Sequence, residues 1–315
     1  MLDTETILPA IQPHLPDADA PPRFEPIPTG HFNDSWFVTA DGQQFVLRVA
    51  PSDTTPMLFY ERGMMKQEPA LHALLRNRTE VPVPRVIAFD DSRQVIDRDW
   101  LLLERLPGRP LSAARGVDPA PILEHVGRCL ADVHAIHATQ YGYLGEHRPM
   151  PARSCWADAF EVMWSKLIDD IEATGQYNAT EAETVRGLVG RYRSTFDRPV
   201  RASLLHMDVW AQNILVDEAG RLCGLLDWDR ALWGDVEIEF AVLDYCGIST
   251  PDFWRGYGTG EDPRRGDEAA AARRVFYLLY ELQKYIVIEH ARRRNGTGAA
   301  AYRDQALAIM EQRLL

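Results

Sequence analysis

The chain has 315 residues, 46% of them hydrophobic, with 46 acidic against 34 basic side chains and a net charge of −12. The length sets an expectation of about two domains, and the apolar share suffices for a sizeable core. The acidic balance argues against nucleic acid as a partner, because phosphate binding needs a basic face.

Four widely spaced cysteines, at 129, 155, 223 and 246, form no C-x-x-C pair. That excludes a disulfide scaffold or a zinc site and leaves them as small buried hydrophobes. The first ten residues carry acids where a signal peptide needs bases, and no run of about 18 apolar residues occurs. A cytoplasmic location without a membrane is expected. Only Lys66, Lys166 and Lys284 are lysines, and none lies in a Walker-type phosphate loop. Arginine must do most of the cationic work.

A short helix is predicted over 5–12 and a strand over 24–27. The small polar loop Thr29-Gly30-His31-Phe32-Asn33-Asp34-Ser35 then leads to a strand at 36–39. Asp41-Gly42 joins this strand to 45–49 as a hairpin. The loop's backbone N–H groups can fold over phosphates, the plain alternative being a β-turn. Arg48 stands at the strand end, where a solvent-facing arginine is the other reading. Residues 58–77 have helical spacing and carry Glu61 and Glu68, either able to pair with Arg48. Pro69 kinks this helix or starts its second part. The rigid connector Val81-Pro82-Val83-Pro84 leads to strands over 85–89 and 100–104. Strands dominate up to this point and helices beyond it. The expected division is therefore 1–104 and 105–315, hinged about 104–108.

Asp118-Pro119 starts a helix whose apolar stripe is Ile122, Leu123, Val126, Leu130, Val133 and Ile136. His134 and His137 read as core or surface histidines rather than metal ligands. Helices are predicted over 156–174, 180–196, 236–245, 251–257, 268–294 and 300–315. Gly256, Gly258 and Gly260 have fingerprint spacing, but no strand precedes them, so they read as a loop. Asn295-Gly296 ends the long helix, and Arg292, Arg293 and Arg294 suit its dipole.

The chemistry concentrates in residues 204–230. Asp208 follows His206-Met207, Asn213 lies five residues later and Asp227 fourteen beyond that. Strand-like runs flank a turn at 217–220, so a hairpin would bring Asn213 and Asp227 together beside Asp208. The spacing H-x-D-x-x-x-x-N is that of the protein-kinase catalytic loop. A carboxylate near an acceptor hydroxyl, with an Asn/Asp pair on magnesium, is what phosphoryl transfer requires. A surface hairpin with ordinary turn acids is the alternative.

HMDVWAQN, LLDWD and WGD together resemble the aminoglycoside phosphotransferase family, protein-kinase-like small-molecule kinases, and the match runs in order along most of the chain. The resemblance implies an α+β, two-lobed protein-kinase-like fold: a small antiparallel β lobe with one main helix, then a larger, mainly helical lobe. It implies that Asp208 orients the acceptor hydroxyl and that Asn213 and Asp227 bind Mg2+. It assigns the nucleotide to Gly30, Asn33, Ser35, Arg48, Glu68, and the backbone of Glu104 to Leu106. The nucleotide is ATP, with GTP open because a hinge reads the base through backbone groups. His206 supports the loop, while Asp229 and Asp235 hydrogen-bond it and cap the next helix. The implied partner is a small-molecule hydroxyl acceptor, of aminoglycoside type or a metabolite alcohol such as choline, homoserine, a sugar or a macrolide. A cationic acceptor would want an acidic wall, drawn from 156–174, 229–239, Glu281 or Glu289. A monomer or weak dimer is expected.

The chain departs from the family at four places: Met207 stands where Gly is usual, and Trp210-Ala211-Gln212 where His-Pro-Gly is common. Val236 replaces the usual Pro, and Glu239 a common Asp. Two other functions compete. A silent nucleotide-binding protein has no chemical need for Asp208, Asn213 and Asp227 together. A metallohydrolase built on His206, Asp208, Asp227 and Asp229 leaves the Gly-x-x-Asn loop without a task.

Overall fold

The computed structural model describes residues 2–17, 19–28 and 32–315. Helix α1 (Thr4–Ile11) starts at Asp3, whose carboxylate accepts the Thr6 N–H at 2.7 Å. Strands β1 (Arg23–Pro26), β2 (Asp34–Ala40) and β3 (Gln43–Val49) form an antiparallel meander. Its tight turn has positive φ at both Asp41 and Gly42, as a type I′ hairpin requires. Helix α2 (Glu68–Arg78) and strands β4 (Val86–Asp90) and β5 (Trp100–Glu104) follow, giving the order β1-β2-β3-β5-β4. Alternation along β2 and β3 turns Trp36, Val38, Phe45, Leu47 and Val49 onto α1. It leaves Ser35 and Arg48, paired across the ladder, on the other face.

Pro69 sits in the first turn of α2, where its missing N–H costs nothing, so it starts the helix instead of kinking it. The expected earlier half is a series of turns ending in a 3₁₀ turn at Met64–Gln67.

The rest of the chain is mainly helical: α3 (Pro119–His134), α4 (Trp156–Ala173), α5 (Ala179–Arg191), α6 (Arg193–Phe196), α7 (Val236–Tyr245), α8 (Pro251–Tyr257), α9 (Glu268–Val287) and α10 (Gly296–Arg313). Among them lie β6 (Arg109–Pro110), β7 (His137–Ala138), β8 (Ala202–Leu205), β9 (Ile214–Val216), β10 (Leu222–Leu225) and β11 (Leu232–Gly234), in the sheets β10-β9-β6 and β11-β8-β7. An aromatic core of Trp156, Phe160, Trp164, Phe196, Phe276 and Tyr277 joins α4 to α9. A second core packs Val126 and Leu130 of α3 under Leu204, Ile214 and Trp228. The two cores thus fix the strands on either side of Asp208. No helix among the described residues is long and apolar enough to cross a membrane.

Several expected boundaries shift. Helix α3 ends at His134, and His137 belongs to β7. The helix expected over 180–196 divides at Tyr192. The long helix leaves α geometry at Ile288 for a π turn, and Asn295 caps α10, accepting the Gly298 N–H at 3.0 Å. Gly256, expected in a loop, lies inside α8; only Gly258 and Gly260 have left-handed φ. Gly256 is required by packing, since a Cβ there would stand 1.8 Å from the Glu124 carbonyl oxygen of α3. Gly256→Ala must push two helix backbones apart. It is expected to cost about 1–3 kcal/mol, read from the denaturation midpoint; an unchanged midpoint would contradict this packing.

Candidate active site

The site is built on the segment between β8 and β9. Glu239, in the first turn of α7 and fully buried, accepts the backbone N–H of His206 at 3.1 Å and of Met207 at 2.8 Å. It also meets His134 Nε2 of α3 at 2.7 Å. Burial pushes the Glu239 carboxyl up, but His134 and the Met207 N–H outweigh it and hold the carboxyl below its ordinary range. Two helices thereby clamp the loop. His206 Nδ1 accepts the Asp208 N–H at 3.2 Å, so the ring is the Nε2–H tautomer, donating to the Leu226 carbonyl at 2.9 Å. Burial also pushes the imidazole down. Both nitrogens are engaged, and the ring packs 4.2 Å from Trp228.

Met207 has φ +66 and is fully buried. This is the left-handed conformation that glycine adopts freely, and a side chain there costs roughly 1–2 kcal/mol. Packing in the aromatic core holds it. Met207→Gly relieves the strain but empties a buried volume worth about 2–5 kcal/mol. The expected net is a loss of stability of about 1–3 kcal/mol by chemical denaturation, the cavity outweighing the strain; a gain would show that strain dominates.

Arg230 Nη1 donates to Asp208 Oδ1 at 2.7 Å, and Asn213 Nδ2 donates to Asp208 Oδ2 at 3.1 Å and to its carbonyl at 2.9 Å. Burial raises the Asp208 carboxyl, yet Arg230 and Lys284 bring it below the ordinary range. Arg230 is itself buried and also reaches Glu281 Oε2 at 3.4 Å. Glu281 in turn pairs with Lys284.

Arg48 lies opposite. Its Nη1 donates to both Glu68 oxygens, at 2.9 and 2.7 Å. Its Nη2 donates to Asp227 Oδ1 at 2.7 Å and Asp229 Oδ2 at 2.9 Å. Burial works against this guanidinium, but Glu68, Asp227 and Asp229 outweigh it and keep it charged. Burial pushes Asp227 up, assisted by Asp208 and Glu68 and opposed by Arg48. Asp229, expected to bond the loop and cap a helix, instead pairs with Arg48; the cap of α7 is Asp235, which also receives Arg198 and Tyr277. His206 and Asp229 are thus committed elsewhere, and among the described residues no cluster of three or more His, Cys, Asp or Glu is placed to hold a metal. A metallohydrolase centre is not formed.

Asp208, Asn213, Asp227, Arg48 and Glu68 therefore come together, with Ser35 across the ladder from Arg48. Gly30 lies outside the described residues. Asn33 lines a cavity of about 200 Å³ with Phe32, Ala50, Glu61, Met64 and Met65. Glu104 ends β5; its N–H donates to the Arg85 carbonyl and its carboxylate accepts the Arg85 N–H at 2.7 Å. Leu106 makes no hydrogen bond among the described residues. Gly108 follows at φ +103, where a Cβ would stand 2.6 Å from the Val216 carbonyl oxygen; the hinge chain thus lies close against β9.

The expected acidic wall is not free. Glu161 pairs with Arg193, Asp169 and Glu172 with Arg186, Glu237 with Arg198 and Arg273, and Glu289 with Arg293. Asp170 accepts the Phe59 N–H at 2.8 Å, and burial pushes its carboxyl up to about 6. Glu61 pairs with Arg292, not Arg48. Sequence reading assigned no role to Arg230 or Lys284. The one available signal was that Arg230 directly follows the Asp227-Trp228-Asp229 run.

The family model described as the phosphotransferase enzyme family matches residues 23–274. A thiamine kinase of Escherichia coli strain SMS-3-5 is 25% identical over 225 residues, covering 70% of this chain and 67% of that protein. A protein of Vibrio vulnificus strain CMCP6, named a probable ketoamine kinase, is 21% identical over 260 residues, covering 80% and 82%. Among solved structures, a thermostable mutant of aminoglycoside phosphotransferase APH(4)-Ia, in ternary complex with AMP-PNP and hygromycin B, superposes with a TM-score of 0.64. It is 18% identical and covers 92% of this chain and 93% of that one. The chain belongs to the phosphotransferase enzyme family and is a small-molecule kinase of two-lobed, α+β protein-kinase-like fold.

Proposed function

We propose that the chain transfers the γ-phosphoryl group of ATP to the hydroxyl of a small metabolite alcohol held opposite Asp208. The observation that carries this reading is the setting of Asp208: a quarter exposed, steadied at one oxygen by Arg230 and at the other by Asn213, with Arg230 holding its carboxyl low. Each oxygen keeps a lone pair for the acceptor. As the acceptor oxygen bonds to the γ-phosphorus, the bond to the β-phosphate oxygen breaks, and the hydroxyl proton passes towards Asp208. Residues 1–104 serve as the nucleotide lobe and 105–315 as the acceptor lobe, meeting at 104–108. Arg48, steadied by Glu68, holds phosphates. Ser35 and Asn33 contact the phosphates, the role the Gly-x-x-Asn motif also proposes for Gly30. The Glu104 to Leu106 backbone meets the base, so GTP belongs in the assay beside ATP.

The residues present fit Mg2+. Asn213 Oδ1 and Asp227 Oδ2 accept no hydrogen bond among the described residues, and two hard oxygens are the usual protein share of a site completed by phosphates and water. When bound, the ion neutralises charge on the phosphate oxygens. Because the Asp227 carboxyl lies above its ordinary value, protons compete with the ion as pH falls. The apparent Mg2+ affinity is therefore expected to weaken on acidification while Asp208, held low, stays ionised. Titrating Mg2+ at several pH values checks this; an affinity that does not weaken as the pH falls towards the ordinary carboxylate range would contradict it.

A metabolite acceptor is favoured over a polycationic antibiotic because the candidate acids are paired within the chain. The thiamine and ketoamine kinases among its relatives support the same choice. The test is incubation with ATP or GTP, Mg2+ and a panel of thiamine, ketoamines, choline, homoserine, sugars and aminoglycosides, scored by a mass gain of one phosphate. Turnover of aminoglycosides alone would sink the metabolite reading; nucleotide binding without transfer to any acceptor would count against the kinase role.

A further inference from the structure

The geometry points to an acceptor that is a ring-bearing alcohol, uncharged or singly cationic, whose ring lies against a wall of Tyr245, Tyr285 and Tyr302 while its hydroxyl reaches Asp208. This rests on the phosphoryl-transfer reading above. Charge comes first. Asp208, Arg230, Glu281 and Lys284 form one continuous chain of ion pairs, with two negative and two positive groups. No carboxylate in that chain is left over for a polycation. An acceptor with several ammonium groups would bring charges that this surface cannot match.

Shape comes second. The same chain of contacts continues outward from Lys284, whose Nζ lies 4.8 Å from the Tyr285 ring centroid. Tyr285 stacks on Tyr302 at 5.0 Å and 22°, and Tyr245 lies 6.0 Å away at 37°. The three rings come from the end of α7, from α9 and from α10. Tyr285 is joined to Asp208 through Lys284, Glu281 and Arg230, and burial pushes its phenol up. Tyr245 is 39% exposed, one of four large exposed hydrophobics among the described residues; another, Trp210, is two residues beyond Asp208. The exposed Tyr245 ring, joined through Tyr285 and Lys284 to the ion pairs around Asp208, is suited to stacking on a ring, with phenol hydroxyls at its edge for polar substituents. The same faces tolerate one positive charge through cation–π attraction. An open-chain amino alcohol offers them little surface.

The test uses the full chain with ATP, Mg2+ and three acceptor sets: heteroaromatic and sugar alcohols, open-chain amino alcohols, and aminoglycosides. Ring alcohols should accept phosphate best. Tyr285→Ala should raise the acceptor KM by roughly tenfold with kcat within about threefold, and Tyr285→Phe, which keeps the ring, should restore the KM. Tyr245→Ala, at an exposed position, should act in the same direction without a change in Tm. Saturation-transfer NMR with AMP-PNP present reads ring binding separately from chemistry. Preference for an open-chain or polycationic acceptor, an acceptor KM unmoved in both alanine variants, or no ring alcohol bound to the wild type would overturn the proposal. The kinase reading fails separately, when nucleotide binds but no acceptor of any set gains a phosphate from ATP in a reaction that depends on Asp208.

Discussion

Asp208→Asn is expected to lower kcat by roughly a thousandfold, within the range of about 10²–10⁴ for losing a positioned acid–base group. The replacement is nearly isosteric. Arg230 Nη1 can still donate to the remaining carbonyl oxygen, 2.7 Å away in the native pair. Asn213 Nδ2, which donates to Oδ2 at 3.1 Å, would face another donor and lose that bond, while keeping the one to the Asp208 carbonyl. The loop is held from Glu239 and His206, neither of which the change touches. Nucleotide affinity and Tm should therefore stay near wild type. What disappears is the acceptor for the hydroxyl proton, together with one negative charge among Arg230, Glu281 and Lys284. Steady-state kinetics beside a nucleotide titration separates the two effects. Retention of more than a tenth of kcat would remove Asp208 from the chemistry.

Glu239→Ala is the largest expected stability effect. It strips a fully buried carboxylate of three partners at once: the His206 and Met207 N–H groups and His134. The amides left behind have no other acceptor among the described residues. Breaking a buried charged network in this way costs about 3–5 kcal/mol, a large part of the ~5–15 kcal/mol that holds a domain together. Met207, already at φ +66, loses the bond that opposes its strain. The loop carrying Asp208 should relax, so kcat should fall even where the protein remains folded. Glu239→Gln keeps one acceptor and should lose less. Denaturant unfolding of both variants checks the order; a cost below about 1 kcal/mol for Ala would mean that water or a rearranged His134 replaces the carboxylate.

The parts of this protein legible in its sequence are those set by local physics. The strand-like runs 36–39 and 45–49, with Asp41-Gly42 between them, specify a hairpin before any tertiary contact exists, and the structure extends both strands to 34–40 and 43–49. The joint spacing of Asp208, Asn213 and Asp227 specifies a loop, a short strand and a return strand, because the chain between them has room for little else. The shape of the first lobe and the gathering of those three residues follow from that. Helix ends were less legible. Helix α8 runs through Gly256 for a reason that lies in a neighbouring element, the Glu124 carbonyl against it.

What only the tertiary structure decided is the distribution of charge. In sequence, Glu281, Asp229 and the acids of α4 look like solvated faces or a wall for a cationic acceptor. In the fold, arginines from distant segments meet nearly all of them: Arg48 is 181 residues from Asp229, and Arg230 is 51 from Glu281. Pairing of this kind is driven by the cost of burying a lone charge and depends on which elements pack together, which no local pattern records. Residue identity and spacing determined that the chain carries phosphoryl-transfer machinery; long-range packing decided which of its carboxylates face the reaction and which are neutralised.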